Sequence, residues 1–279
     1  MTIAREFVSR LERLAERVAL PRVRALHLPP ASADGTREGE FCALELEDGT
    51  LGLSYVLLGD TLERLRAGAG GGGVAGAAAL DVARWYADRD GGDRTVGFAA
   101  VNALTAFLFE RAGFAPGAAT DTIGHLDPGP GDHVGMIGLF PPLVDRVVRT
   151  GARLTVLELK ARLAGEREGW RVTLDPEALR ECGKVLCTST VLLNDTVDAV
   201  VARCAGARAF AVLGPGASCL PDPLFARGVT LAGGTWIVDR PGLRDAIVAG
   251  APWGETARKT AIRPADYPGF EALLGRLAG

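Results

Sequence analysis

From His133 onward, short apolar runs alternate with segments of helical pattern, and this alternation constrains the fold more than any other feature. His133–Ile137 reads as a buried strand, Leu143–Thr150 as a helix closed by Gly151, and Arg153–Leu159 as a second strand. After a polar interval, Lys184–Thr188 is a third strand, and Asn194-Asp195-Thr196 opens a helix that ends near Ala205. Ala209–Leu213 is a fourth, and Val229–Leu231 with Thr235–Val238 completes the sheet. Strands alternating with helices of about ten residues indicate an α/β fold with a Rossmann-like, doubly wound parallel sheet. Right-handed crossovers put the carboxyl ends of the strands on one edge, where ligands bind.

Residues 1–115 follow a different grammar. Ile3, Phe7, Leu11, Leu14 and Val18 form one apolar stripe at helical period, with Thr2 as N-cap and Pro21 at the exit. Strands are expected at Val23–Leu28, Phe41–Leu46 and Leu51–Leu57, the last two joined by a tight turn at Asp48-Gly49. The glycine-rich run Arg66 to Gly73 follows no strand and precedes no Lys-Ser or Lys-Thr, so it reads as a flexible loop and not a phosphate cradle. Helices are expected at Leu80–Arg89 and from Val96 to Arg111, closed by Gly113. That order is α+β. Residues 116–131, rich in Gly, Pro and Asp, read as a linker to a domain at 132–279.

Of 279 residues, 48% are hydrophobic and 23% charged, enough for a folded core in two domains. The net charge of −3 supplies no basic surface, which excludes nucleic acid and anionic membrane as expected partners. No uncharged apolar run approaches the ~18 residues of a membrane span. The start of the chain lacks the basic and apolar regions of a secretory signal, so a cytoplasmic location is expected. Five scattered cysteines form no CxxC pair and read as reduced, buried hydrophobes. His27, His125 and His133 show no metal-ligand spacing and read as solvated surface groups, although His125 in the linker is placed to meet a ligand between domains.

Candidate binding residues lie in the loops after the strands. Gly135 and Gly138 form GxxG, short of the full dinucleotide fingerprint. They either admit a ligand to the backbone or permit helix–strand packing. Phe140 and Pro141 follow, and Pro141-Pro142 removes two N–H donors that a pyrophosphate would use. Glu158, at the end of the second strand, sits where a ribose-binding carboxylate would lie, or is a surface acid. Thr188, Thr190 and Asn194 offer polar groups at the next strand end, with Asn194 equally suited to cap a helix. Gly214, Pro215, Ser218 and Cys219, then Gly233 and Thr235, lie in the later turns, and all are expected to converge on one crevice. No Ser-His-Asp elbow or convincingly spaced carboxylate pair is present.

Taken together, VGMIGLFPPL from Val134 to Leu143, Leu157-Glu158-Leu159, TSTVLLNDT from Thr188 to Thr196, LGPG from Leu213 to Gly216 and LAGGT from Leu231 to Thr235 resemble the heavy-metal-chelation family. Asn102-Ala103-Leu104 is similar to a segment of its first domain. The resemblance covers nearly the whole chain. It implies an enolase N-terminal-like domain followed by a Rossmann-like domain, with a ligand pocket between them that includes Asn102. It also implies a role in handling a metal, a metal chelate or a chelating small molecule. One departure stands out: the family follows Gly-Pro with Ser-Thr, whereas here Ser218 and Cys219 come two residues later. Cys219 thereby becomes a candidate soft metal ligand.

Three functional readings follow. The first is a binding protein for a transition metal or its chelate, with the chelate favoured because the residues offer few classical ligands. The second is an enzyme using NAD(P) or S-adenosylmethionine, with Glu158 on the ribose and Asp132, His133 or Cys219 for proton transfer. The third is a scaffold for protein contacts, with the alanine-rich helices supporting a homodimer.

Overall fold

The structure is a computed structural model that describes residues 1–31, 41–68, 73–120, 123, 125–194 and 196–278. The glycine run at Gly70–Gly72, Asp195, and linker residues 121, 122 and 124 lie outside the described residues.

Helix α1 (Ile3–Ala15) buries the expected stripe, and the hydroxyl of Thr2 accepts from the N–H of Arg5 at its start. Strands β1 (Val23–His27), β2 (Phe41–Leu46) and β3 (Leu51–Tyr55) form an antiparallel sheet in sequential order. Gly49 takes φ +86 in the β2–β3 turn, the positive φ expected there. Then come α2 (Thr61–Arg66), α3 (Ala79–Asp88) and α4 (Gly91–Arg111). Helix α2 has no counterpart in the sequence reading, since six residues carry too little periodicity. Helix α4 begins upstream of Val96, through Gly91 and Gly92, which are weak helix formers.

Almost every residue of α4 is buried, because it packs on β3 and α3 on one side and on turns of the second half on the other. Gly52 makes the β3–α4 approach possible: a Cβ there would lie 2.2 Å from Ala103 N and Ala99 O. The main hydrophobic core runs through both halves, from Phe7, Tyr86 and Phe98 to Val185, Phe210 and Phe270.

The second half contains β4 (Gly117–Ala118), β5 (His133–Ile137), α5 (Pro141–Val148), β6 (Arg153–Leu157), β7 (Gly165–Arg167), β8 (Trp170–Thr173), β9 (Lys184–Thr188), α6 (Val197–Arg203), β10 (Ala209–Leu213), α7 (Asp222–Phe225), β11 (Leu231–Gly233), β12 (Thr235–Ile237), α8 (Arg240–Ala249), β13 (Ala257–Ala261) and α9 (Phe270–Gly275). Seven strands form one sheet in the order β11-β10-β9-β5-β6-β8-β7, parallel except for the edge strand β7. Its six parallel strands, numbered along the chain, stand in the order 3-2-1-4-5-6, that of doubly wound dinucleotide-type sheets. The order reverses between β5 and β9, which defines a crevice outside their carboxyl ends.

Two further features differ from the sequence reading. The polar interval after β6 holds the β7–β8 hairpin, whose short strands have no apolar run to mark them. Thr235–Val238 does not complete the parallel sheet. Beyond Gly233-Gly234 the chain leaves it, and β12 pairs antiparallel with β13, which in turn pairs with β4. No helix among the described residues is long and apolar enough to cross a membrane.

Candidate functional site

The switch point is built around Gly138, which takes φ +81 directly after β5. A Cβ at this position would stand 2.9 Å from Cγ2 of Thr188, so glycine lets the β5 and β9 loops close on each other. Gly135 serves packing: a Cβ there would meet Cys182 and Leu179 at 3.1 Å. Pro141 and Pro142 occupy the first positions of α5 and carry no N–H. The N–H groups of Leu143 and Val144 both donate to the carbonyl of Phe140. Glu158 accepts from the backbone N–H of Leu139 at 3.2 Å and of Leu159 at 2.8 Å. It therefore ties the β5 and β6 loops together rather than standing as a free surface acid. With these donors engaged, the loop offers no ready cradle for a pyrophosphate.

Thr188, at the end of β9, and Thr190 and Asn194, which follow it, are each partly exposed. The hydroxyls of Thr188 and Thr190 lie 3.0 Å apart, and that of Thr188 also accepts from Thr190 N. Asn194 Oδ1 accepts from the backbone N–H and the hydroxyl of Thr196, a local turn before α6; the N-cap of that helix is Thr196, so Asn194 is not its cap.

Further along the edge, Gly214 has φ +133 and packs on Ser189, whose Oγ would lie 2.5 Å from a Cβ there. Pro215 sits in the same turn, and its carbonyl accepts from Ser218 Oγ at 2.8 Å. Ser218 Oγ also accepts from Thr235 N at 2.9 Å and lies 3.0 Å from Thr235 O. Ser218 and Thr235 thus lock the β10 turn to β12, and Gly233 packs beneath them on Leu213.

Asn102, Ser218 and Thr235 meet at a cavity of about 30 Å³ between β3, α4 and β12. That volume holds about one water, not an organic ligand. Asn102 Nδ2 donates to Leu53 O at 2.7 Å, which directs Oδ1 away from that carbonyl. The sequence residues therefore fall into two groups along one sheet edge. Gly138, Phe140, Pro141, Glu158, Thr188 and Thr190 lie about the switch point, with Asn194 further on, in the turn before α6. Asn102, Ser218 and Thr235 lie at the interlayer cavity, with Gly214, Pro215 and Gly233 nearer it. Thr50, Trp236, Glu110 and Arg240 also line the cavity and were not singled out from sequence. They come together in three dimensions, Glu110 of α4 pairing with Arg240 of α8, and no motif marks that.

All five cysteines are free and buried. Burial pushes the Cys219 thiol up to about 12, which holds it neutral, whereas a soft metal takes a thiolate. His133 is not a surface group: its ring is buried and hydrogen-bonded to Thr155 and Arg153. His27 Nε2 lies 2.7 Å from Glu45, while His125 is exposed. Among the described residues, no three His, Cys, Asp or Glu side chains are grouped to hold a metal ion.

The fold is that of a mixed α/β protein with a seven-stranded, mostly parallel sheet and smaller antiparallel sheets. The chain belongs to the DUF364 family, described as "Putative heavy-metal chelation", whose model matches residues 121–265. A second model with the same description, DUF4213, matches residues 39–105. A DUF364 protein of unknown function from Pyrococcus horikoshii is 18% identical, with a TM-score of 0.65 over 94% of this chain and 100% of its own. Another, from Desulfitobacterium hafniense DCB-2, is 19% identical, with a TM-score of 0.65 over 93% and 98%. At such identity these likenesses concern the fold alone. No curated protein matches the chain.

Proposed function

We propose that this protein binds a metal chelate, or the chelating small molecule itself, in the cleft where the carboxyl edge of the parallel sheet meets the N-terminal layer. The observation that carries this reading is the chemistry of the edge. It presents hydroxyls, amides and one Arg–Glu pair, and no grouped His, Cys or carboxylate donors among the described residues. A bare transition-metal ion needs three or four converging donors. A chelate brings its own donors and needs only its organic rim recognised. Thr188 and Thr190 at the switch point are the residues with hydroxyls placed for that task.

The test is calorimetric titration with Ni(II), Cu(II) and Fe(III), each as the free ion, the citrate complex and the nitrilotriacetate complex. The reading expects at least one complex to bind more tightly than its free ion, and Thr188→Val with Thr190→Val to weaken that binding. Equal or tighter binding of the free ions, or no binding of any complex, overturns it.

The strand order 3-2-1-4-5-6 and the positive φ of Gly138 favour a second reading, an enzyme with a nucleotide-type cofactor. A rise in unfolding temperature with NAD(P) or S-adenosylmethionine, and none with the chelates, would select it.

A further inference from the structure

Asn102 Oδ1 and Thr50 Oγ1 make no hydrogen bond to the described residues, although both residues are only 1% exposed. Both residues line the interlayer cavity of about 30 Å³. Folded proteins leave few buried polar atoms unsatisfied, because the hydration lost on burial is then not recovered. Two such atoms beside one small space point to a shared partner within it.

The chemistry of the two atoms narrows that partner. Asn102 Nδ2 donates to Leu53 O at 2.7 Å, so the amide oxygen is the group left over, and it accepts only. The Thr50 hydroxyl donates or accepts. The partner therefore donates to Asn102 and either donates to Thr50 or accepts from it. Volume narrows it further. The cavity matches the space of one water in the liquid, about 30 Å³, and is too small for an amino acid, a carboxylic acid or a sugar. Among the described residues that line it, Glu110 is the one carboxylate, and it is paired with Arg240. A hard cation takes about six oxygens, several of them waters, for which the cavity has no room. A purely apolar cavity of this size stays dry, but these two polar atoms give a water the bonds it needs.

The position is a joint in the fold. Thr50, in the turn leading into β3, and Asn102, on α4, belong to the N-terminal layer, whereas Ser218 and Thr235 come from the second half. The Glu110–Arg240 pair ties α4 to α8 where the cavity meets the open groove outside it.

We propose that the interlayer cavity is a site for one ordered water, which donates to Asn102 Oδ1 and bonds Thr50 Oγ1 as a fixed part of the fold. Asn102, placed by the family resemblance in the ligand pocket, serves the joint between the layers through this water and does not touch the chelate. The inference goes beyond the chelate reading and stands or falls without it.

The test joins crystal structures of the full chain, wild type and Thr50→Val, to thermal unfolding of both. The wild-type crystal is expected to show a single peak about 2.5–3.0 Å from both atoms, and the variant to lose it. Thr50→Val keeps the β-branched shape and removes the hydroxyl, so the sign of its effect is decisive. Removing a hydroxyl that nothing satisfies would raise the unfolding temperature. Removing a partner of a bound water is expected to lower it by a few degrees. The proposal is overturned by no peak between the two atoms, by a peak at metal–oxygen distances of about 2.0–2.6 Å, by density too large for one water, or by a raised unfolding temperature in Thr50→Val. If Thr50→Val does not fold, the wild-type crystal decides alone.

Discussion

The guanidinium of Arg153 lies 2.8 Å from Nδ1 of His133. A guanidinium only donates, so Nδ1 accepts and the ring proton sits on Nε2, which faces the hydroxyl of Thr155 at 2.8 Å. Burial, with Arg153 and Arg171 nearby, holds the His133 pKa below its ordinary 6.5. The unfolded chain therefore binds the proton first as pH falls, and stability is fully present above about 6.5 and declines below it, down to the lowered folded value. The urea midpoint is expected to drop between roughly pH 7.5 and 5.5, with a smaller drop in His133→Gln. Equal slopes in the two proteins contradict this.

A second pH effect lies in the acid range. Asp132 pairs with Lys184 at 2.7 Å and also with Arg208, at the opposite edge of the sheet from the candidate site. Hydrogen bonding from Lys184, then from the Gly129 N–H, helps hold its carboxyl at about 2. The folded pKa is depressed, so this contribution is present above about 3.8 and is lost as pH falls through about 2. Asp132→Asn is expected to lower the unfolding temperature by a few degrees at pH 7 and to make much less difference at pH 2.

Tyr86 is fully buried, and its hydroxyl donates to Leu192 O at 2.6 Å, tying α3 to the turn after β9. Tyr86→Phe leaves that carbonyl without its donor and is expected to cost about 1–2 kcal/mol, read by chemical denaturation. No change in stability would show that the tie is dispensable.

Gly52 sets the distance between β3 and α4, and hence where Asn102 meets Leu53. A methyl there would press into the α4 backbone at 2.2 Å. Gly52→Ala is expected to destabilise by about 3 kcal/mol or more, or to prevent folding, whereas Gly254→Ala, where a Cβ meets nothing within 4 Å, is expected to be mild.

The five thiols are all buried, and burial raises the values of Cys42, Cys182, Cys204 and Cys219 to about 11 or 12. A thiol reagent such as dithionitrobenzoate is expected to label none in the native protein and all five in denaturant. Rapid native labelling of one thiol, lost in Cys219→Ser, would contradict the burial of that thiol.

Much of the architecture was legible because apolar periodicity reports it directly. The stripe of α1 and the strands β5, β9 and β10 stand where their patterns place them. The β7–β8 hairpin and the departure of β12 from the parallel sheet were not, because three- and four-residue polar strands have no periodic signal and pairing partners are chosen in three dimensions. The glycines showed that loops approach closely at Gly138 and Gly214, but not that Thr188 and Ser189 are the side chains they meet. Glu158 and Ser218 look like ligand contacts in sequence and are occupied by neighbouring backbone in the fold. Thr50, Glu110 and Arg240 were invisible for the opposite reason: each is ordinary in its own segment, and only the packing of α4 on β3 and the Glu110–Arg240 pair bring them to one cavity.

The most direct test of the central claim is native mass spectrometry of the freshly purified protein, with elemental analysis of the same sample. The account predicts an adduct whose mass requires an organic component, with or without a stoichiometric metal, and its loss when Thr188 and Thr190 are both changed to Val. A metal bound with no organic mass, or an adduct unaffected by those changes, would contradict it.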